Sequence, residues 1–451
     1  VTRATTNSAT SSGDTRSAAR RRRLLPAAML VALSTLLAAC ASGGDGIGTP
    51  PPVPTREASF DTTAIEEAMT ATLDAGAPAV LVEVRDGDEV WRSARGTSAV
   101  VGGAVADPLA AVRVASVTKS MMGVLLMQLV EDGDLDLDTR IERYLPGVVD
   151  PAQPVTVRQL ANHTSGMPDY IDTFPLDDPT AVSAMLTAEY TPQELIERVA
   201  DVPWLSDPGT EFHYSNTNYL VLTLLIEELT GESLPDVLAE RVAGPGALES
   251  TSLPLDTSMP EGAAHGYFTT NGIYVDVTEQ SGSLWWGAGG VVSTVGDINT
   301  FYRGLFQGTY LPDEAVSELI DLGPEGYGLG IQGHVDPCPA PEPTATPVET
   351  TSDPVAPTDE ATADGGATGD AAGSPSPSAS STPLGVPGMT YGHLGSGLGY
   401  RILSFSSPDG ERQVTVSWTA SPPDYGDDPR LAPAWAVVDA ALTATCHTGT
   451  P

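Results

Sequence analysis

Strand patterns lie in the early and late parts of this chain, and mostly helical patterns lie between them. Residues 79–84, the turn Asp86-Gly87-Asp88 and residues 89–92 read as a β-hairpin. Residues 389–392, 400–406 and 413–419 read as strands, and 432–444 as a closing helix. From Ser116 onward Met121, Val124, Leu125, Leu129 and Val130 recur at helical spacing. Further helices are predicted at 191–199, 216–229 and 234–242. Residues 287–294 read as strand and turn, Asp297 as the cap of a helix through Phe306, and 327–331 as a strand. A helical region between two strand-bearing parts predicts an α+β fold with an inserted all-α domain. The hydrophobic fraction of 41% is enough for a sizeable core.

Composition changes sharply over residues 334–388. This stretch is rich in Pro, Thr, Ala, Ser, Gly and Asp and has no lysine, arginine or aromatic residue. It cannot bury enough apolar surface to offset its chain entropy, so disorder is expected. It falls between two strand patterns and therefore reads as an insertion in a sheet-edge loop, which costs little stability.

The N-terminus reads as a targeting segment. Arg20, Arg21, Arg22 and Arg23 precede an apolar run over 24–39, too short for a typical membrane-spanning helix. Leu37-Ala38-Ala39-Cys40 resembles a bacterial lipoprotein signal, with residues 1–39 removed and Cys40 lipidated; the alternative is an ordinary secretory signal. Residues 40–57 form a Gly/Pro-rich tether, and the remaining domain spans 58–451 around the insertion. These signals place the protein outside the cell membrane, anchored to its outer face. Cys338 and Cys446 are then an even pair in an oxidising compartment, either one disulfide or two free thiols. The formal charge of −38 argues against nucleic acid and against electrostatic docking on an anionic membrane. No metal-ligand spacing occurs: the histidines are scattered and Cys-x-x-Cys is absent.

Lys119 is the only lysine in 451 residues, and it stands three residues after Ser116. Arginine can replace lysine where only charge is needed, but guanidinium does not give up its proton, while a desolvated amine can. Ser116-Val117-Thr118-Lys119 therefore suggests a serine activated by a neutral amine on the same helical face. Tyr214-Ser215-Asn216 follows 98 residues later, and His393-Leu394-Gly395 opens a strand-like run after the insertion. Taken alone, Ser215 would be a helix cap, Tyr214 a half-buried aromatic and His393 a strand-end histidine.

Read together, the three motifs resemble the serine β-lactamase and penicillin-binding superfamily. The likeness is greatest to class C β-lactamases, D-alanyl-D-alanine carboxypeptidases with a His-x-Gly third motif, and related esterases. It spans about residues 60 to 446 outside the insertion. Leu160-Ala161-Asn162-His163-Thr164-Ser165-Gly166, Pro208-Gly209 and the run Gly289 to Thr294 add to it.

The resemblance implies an antiparallel β-sheet flanked by helices and an acyl-enzyme on Ser116. Lys119 and Tyr214 would be the acid/base groups. Asn216 would bind the substrate amide or Lys119, and the Ser116 and Ser396 N–H groups would form the oxyanion hole. His393 would keep the region near Tyr214 polar or positive. The family usually has threonine where this chain has Leu394, which weakens the carboxypeptidase reading; Ser396 is a candidate compensator and Arg401 a candidate carboxylate partner. His163 reads as structural, His213 as neutral, and Trp285 and Trp286 as packing or cleft residues. No cofactor is implied. The expected partner is a small-molecule or peptide acyl substrate: a peptidoglycan stem peptide, a β-lactam or an ester. A non-catalytic penicillin-recognising module is the rival from another class.

Overall fold

The computed structural model describes residues 58–175, 179–270, 272–338, 384–422 and 425–447. Cys40, the targeting segment, the tether and most of the insertion lie outside these residues. In chain order the elements are α1 (Thr63–Asp74), β1 (Ala79–Asp86), β2 (Glu89–Gly96), β3 (Val112–Arg113) and α2 (Thr118–Glu131). There follow α3 (Val157–Ala161), α4 (Pro179–Thr187), α5 (Pro192–Glu197), α6 (Asn216–Thr230) and α7 (Leu234–Leu238). Next come β4 (Tyr267–Thr270), β5 (Ile273–Asp276), α8 (Trp286–Gly289), β6 (Val292–Ser293), α9 (Val295–Phe306) and α10 (Asp313–Leu319). The last are β7 (Gln332–Val335), β8 (Met389–Gly397), β9 (Tyr400–Ser406), β10 (Arg412–Trp418), β11 (Ala420–Ser421) and α11 (Leu431–Ala444).

The main sheet has the order β2-β1-β10-β9-β8-β7 and is antiparallel throughout. An early strand and a late strand are neighbours: Val82 of β1 pairs with Val416 of β10. Side chains alternate across the strands and feed two cores. Val80, Val82, Val84, Leu403, Phe405, Val414, Val416 and Trp418 face α1 and α11. Ala79, Leu81 and Ile402 face the other way, into a larger cluster built with the helices. The helical region therefore shares a continuous core with the sheet.

A row of polar side chains crosses that second face. Arg92, Glu83, Thr415, Ser404 and His393 stand opposite one another on successive strands. Glu83 is buried and is held by Arg85 (2.7 Å), Arg92 (2.5 Å) and Asn299 (3.1 Å), as a buried carboxylate requires.

Four sequence expectations need correction. Residues 327–331 form a turn, because Gly330 has φ of +81° and its backbone lies against the Lys119 carbonyl, where a Cβ would come within 2.3 Å. Thr294, not Asp297, caps α9: its side chain accepts from the Asp297 N–H, while the Asp297 carboxylate binds Ser250 and Thr251. Gly287, Ala288 and Gly289 belong to the short helix α8, and only Val292–Ser293 is strand. The expected insertion start at 334 falls inside β7, where His334 and Val335 pair with Thr390 and Met389.

Candidate active site

Ser116 lies in a 3-10 turn, Ala115–Val117, that leads into α2. Ala115 has φ of +46°, a strained value for a residue with a side chain. The turn is pinned from both sides. The Val114 N–H donates to the Val291 carbonyl at 3.0 Å, and a Cβ at Gly395 would stand 2.3 Å from the Val114 oxygen. Only glycine lets β8 approach the serine turn this closely.

Helix α2 is buried on nearly all sides, so Lys119 in its first turn is 0% exposed, against 8% for Ser116. Its Nζ lies 3.2 Å from Ser116 Oγ, 2.8 Å from Asn216 Oδ1 and 2.6 Å from the Ala288 carbonyl oxygen. The last two atoms can only accept. A neutral amine gives each one N–H and keeps its lone pair for the Ser116 hydroxyl. Burial lowers the amine pKa from 10.5 to about 7, against the opposing field of Asp169.

Asp169 fixes the Asn216 amide. Its Oδ2 accepts from Asn216 Nδ2 (2.8 Å) and from the Asn216 N–H (3.1 Å), which leaves Oδ1 for the lysine. Burial raises the Asp169 pKa, opposed by these hydrogen bonds and by Lys119. Tyr214 precedes α6 with its ring half-buried, and Nζ of Lys119 is 4.9 Å from the ring centre. Burial pushes its phenol above the usual value, opposed by a hydrogen bond with Ser116.

His163 and His393 flank this group from two elements. The His163 ring lies 4.1 Å from that of Tyr214, and its Nδ1 accepts from the Ser215 N–H at 3.2 Å. His393 is fully buried on β8, with Nδ1 donating to the Leu394 carbonyl at 2.6 Å. Burial first, then the Lys119 charge, lower its pKa to about 3. His393 is thus neutral, which leaves the polar rather than the positive one of the two expected roles.

Strand alternation turns the neighbours of His393 away from it. Leu394 packs against the core under α1 and α11. Ser396 and Arg401 stand opposite each other and opposite Trp418, on that same face. The Arg401 guanidinium is 2% exposed and faces Asp428 at 3.5 Å. Neither Arg401 nor the Ser396 hydroxyl is placed to bind a substrate carboxylate. The Ser396 N–H is placed differently. The Leu394 N–H points toward β7 and donates to the Gln332 side chain at 2.9 Å. Two residues on, the Ser396 N–H points to the same edge, past the last β7 pair of Gln332 with Gly392.

The other expected residues fall as follows. Trp285 is buried and donates to Gln280 (3.1 Å); Trp286 is half-buried and donates to the Tyr190 carbonyl (3.0 Å). His213 faces Glu211 at 3.2 Å. The sulfur atoms of Cys338 and Cys446 are 2.06 Å apart, joining the end of the β7 segment to the C-terminal helix. Sequence reasoning missed Asp169 and Tyr327. Asp169 lies three residues beyond the Leu160 to Gly166 signature, and Tyr327 begins the segment taken for a strand.

A buried Ser-x-x-Lys turn beneath the edge of an antiparallel sheet, faced by a Tyr-x-Asn turn, defines a class of hydrolase folds. The family model described as Beta-lactamase matches residues 63–436, and the chain belongs to that family. A D-aminopeptidase of Cereibacter sphaeroides is 25% identical over 283 residues, 60% of this chain and 53% of the relative. One from Brucella ovis is 28% identical over 256 residues, 55% of this chain and 48% of the relative. The chain therefore spans about half the length of these relatives. Among solved structures, a D-stereospecific amidohydrolase from Streptomyces sp. aligns with a TM-score of 0.66 at 26% identity, covering 84% of this chain and 98% of that one. The fold is also that of the D-amino acid amidase from Ochrobactrum anthropi, with a TM-score of 0.65 at 23% identity, covering 84% and 97%.

Proposed function

We propose that this protein is a serine hydrolase that forms an acyl-enzyme on Ser116 and cleaves amide bonds in D-amino acid amides and short peptides. The observation that carries the reading is Lys119 Nζ, 3.2 Å from Ser116 Oγ and flanked by two atoms that only accept, so that the neutral amine turns its lone pair to the serine. The Ser116 proton passes to Nζ as Oγ bonds to the carbonyl carbon. The resulting oxyanion meets the Ser116 and Ser396 N–H groups. The amine leaves with a proton from Tyr214 or Lys119, and water then hydrolyses the ester on Ser116.

Two things favour amides over carboxypeptidase or β-lactam substrates. The relatives include D-aminopeptidases and a D-stereospecific amidohydrolase. Carboxypeptidase substrates and β-lactams carry a carboxylate near the reacting bond, whereas here His393 is neutral and Arg401 is turned toward Asp428. A missing charged hydrogen bond is worth roughly tenfold or more in kcat/KM. D-phenylalanine amide should therefore be hydrolysed at least about tenfold more efficiently than a D-Ala-D-Ala peptide or nitrocefin. Intact-mass spectra should show an adduct on Ser116 that Ser116→Ala abolishes. Faster turnover of the carboxylate-bearing substrates, or an adduct elsewhere, would overturn the proposal.

We also propose that the enzyme works outside the cell membrane, anchored through Cys40. The Arg20 to Arg23 cluster, the apolar run before Cys40 and the adjacent Cys338 and Cys446 sulfurs support this. Expressed with its full N-terminus in a bacterium, the protein should incorporate labelled palmitate and partition into detergent, and Cys40→Ser should lose both. Equal labelling of the variant would sink the anchor.

A further inference from the structure

Tyr327 belongs to none of the three motifs, yet its hydroxyl lies between two buried imidazoles, 3.2 Å from His163 Nε2 and 3.0 Å from His393 Nε2. We infer that Tyr327 is a positioning residue of the site: its hydroxyl accepts from one histidine, donates to the other, and so ties the two walls of the cleft together. The hydrogen-bond chemistry fixes the direction of every link. Backbone N–H of Ser215 and the Asn218 amide both donate to His163 Nδ1, each at 3.2 Å, so that nitrogen is an acceptor. A neutral His163 then carries its proton on Nε2 and donates to Tyr327. At the other end the Leu394 carbonyl only accepts, so His393 carries its proton on Nδ1. His393 Nε2 is a lone pair, and it receives the Tyr327 O–H. Tyr219 is the other hydroxyl beside Tyr327, and it sends its own proton to the Ala161 carbonyl at 2.8 Å. Its oxygen is a competing acceptor for the Tyr327 proton, but that choice would leave the buried His393 Nε2 without a donor.

One chain therefore runs from the Ser215 N–H through His163, Tyr327 and His393 to the Leu394 carbonyl. Its first member sits between Tyr214 and Asn216, which touch Ser116 and Lys119. Its last lies two residues before Ser396, whose N–H faces the serine edge. The chain thus sets the distance between the phenol wall and the oxyanion wall. No aliphatic or aromatic replacement at 327 can both accept from one imidazole and donate to the other.

The inference rests on the hydrolase reading for its effect on rate, but its core can be tested without turnover. In protein labelled with 15N-histidine, two-bond proton–nitrogen spectra at neutral pH should show His163 as the Nε2–H form and His393 as the Nδ1–H form. The six histidines make assignment by single substitutions practical. Tyr327→Phe keeps the ring and removes the hydroxyl. It should leave both tautomers in place, shift the Nε2 resonance of each histidine as its hydrogen bond is lost, and lower kcat roughly 10- to 100-fold, with KM changed far less. Either histidine appearing in the opposite tautomer or as imidazolium in the wild type overturns the inference, whether or not the variant folds. A folded Tyr327→Phe protein with unchanged Nε2 resonances and kcat would overturn it as well. The expected tautomers in a protein that never acylates Ser116 would support the chain and reject the hydrolase reading alone.

Discussion

Lys119→Arg is expected to lower kcat/KM for an amide substrate by roughly 1,000-fold, the scale of a lost general base. The substitution keeps a cation beside Ser116, so it separates charge from basicity. Guanidinium stays protonated and offers only donors, so it has no lone pair for the Ser116 proton. Native Lys119 can release its proton because burial holds its pKa near 7. The unprotonated amine is the working form, so wild-type kcat/KM should rise with pH through about 7 and then level off. Lys119→Met supplies the complementary control, since it is uncharged and close in volume, and it should be equally inactive. Turnover by the arginine variant within about tenfold of wild type would show that charge alone suffices and that the base lies elsewhere.

The chemistry of this site was more legible in the sequence than its frame. A single lysine among basic residues that are otherwise all arginine is a chemical signal, and it needed no knowledge of packing. Ser116, Lys119, Tyr214, Asn216 and His393 are brought together as the motif order implied. What sequence could not show was direction. Arg401 and Ser396 were grouped with His393 by closeness along the chain, but strands alternate faces, so a shift of one residue decides whether a side chain meets substrate or core. The state of His393 was hidden for a similar reason. Its neutrality follows from burial and from the charge of Lys119, far away along the chain, against the opposing hydrogen bond to the Leu394 carbonyl. Residues 327–331 alternate like a strand, yet Gly330 is there so that the backbone can close on α2. Asp169 was passed over because a lone carboxylate carries no pattern; only its bond to Asn216 gives it a role.

Lys119→Met should also have an effect on stability that depends on pH, and this follows from burial of the amine whatever the substrate. In the unfolded chain the lysine binds its proton up to about pH 10.5, while in the folded chain it releases it near 7. Between those values the unfolded state holds the extra proton, so wild-type stability rises with pH across that window. Below it both states are protonated, and the folded state bears the full cost of a buried cation. The fall from 10.5 to about 7 corresponds to roughly 5 kcal/mol of that cost. Methionine removes it but leaves Asn216 Oδ1 and the Ala288 oxygen without their donor, a loss of about 1–3 kcal/mol each. These losses together are comparable with that cost, so the firm expectation is the change: relative to wild type the variant should gain roughly 5 kcal/mol of stability as pH falls from about 10.5 to below 7. Urea midpoints measured for both proteins across that range would show the change. Parallel curves would mean that Lys119 keeps its proton in the folded protein, and the mechanism built on its lone pair would fail with them.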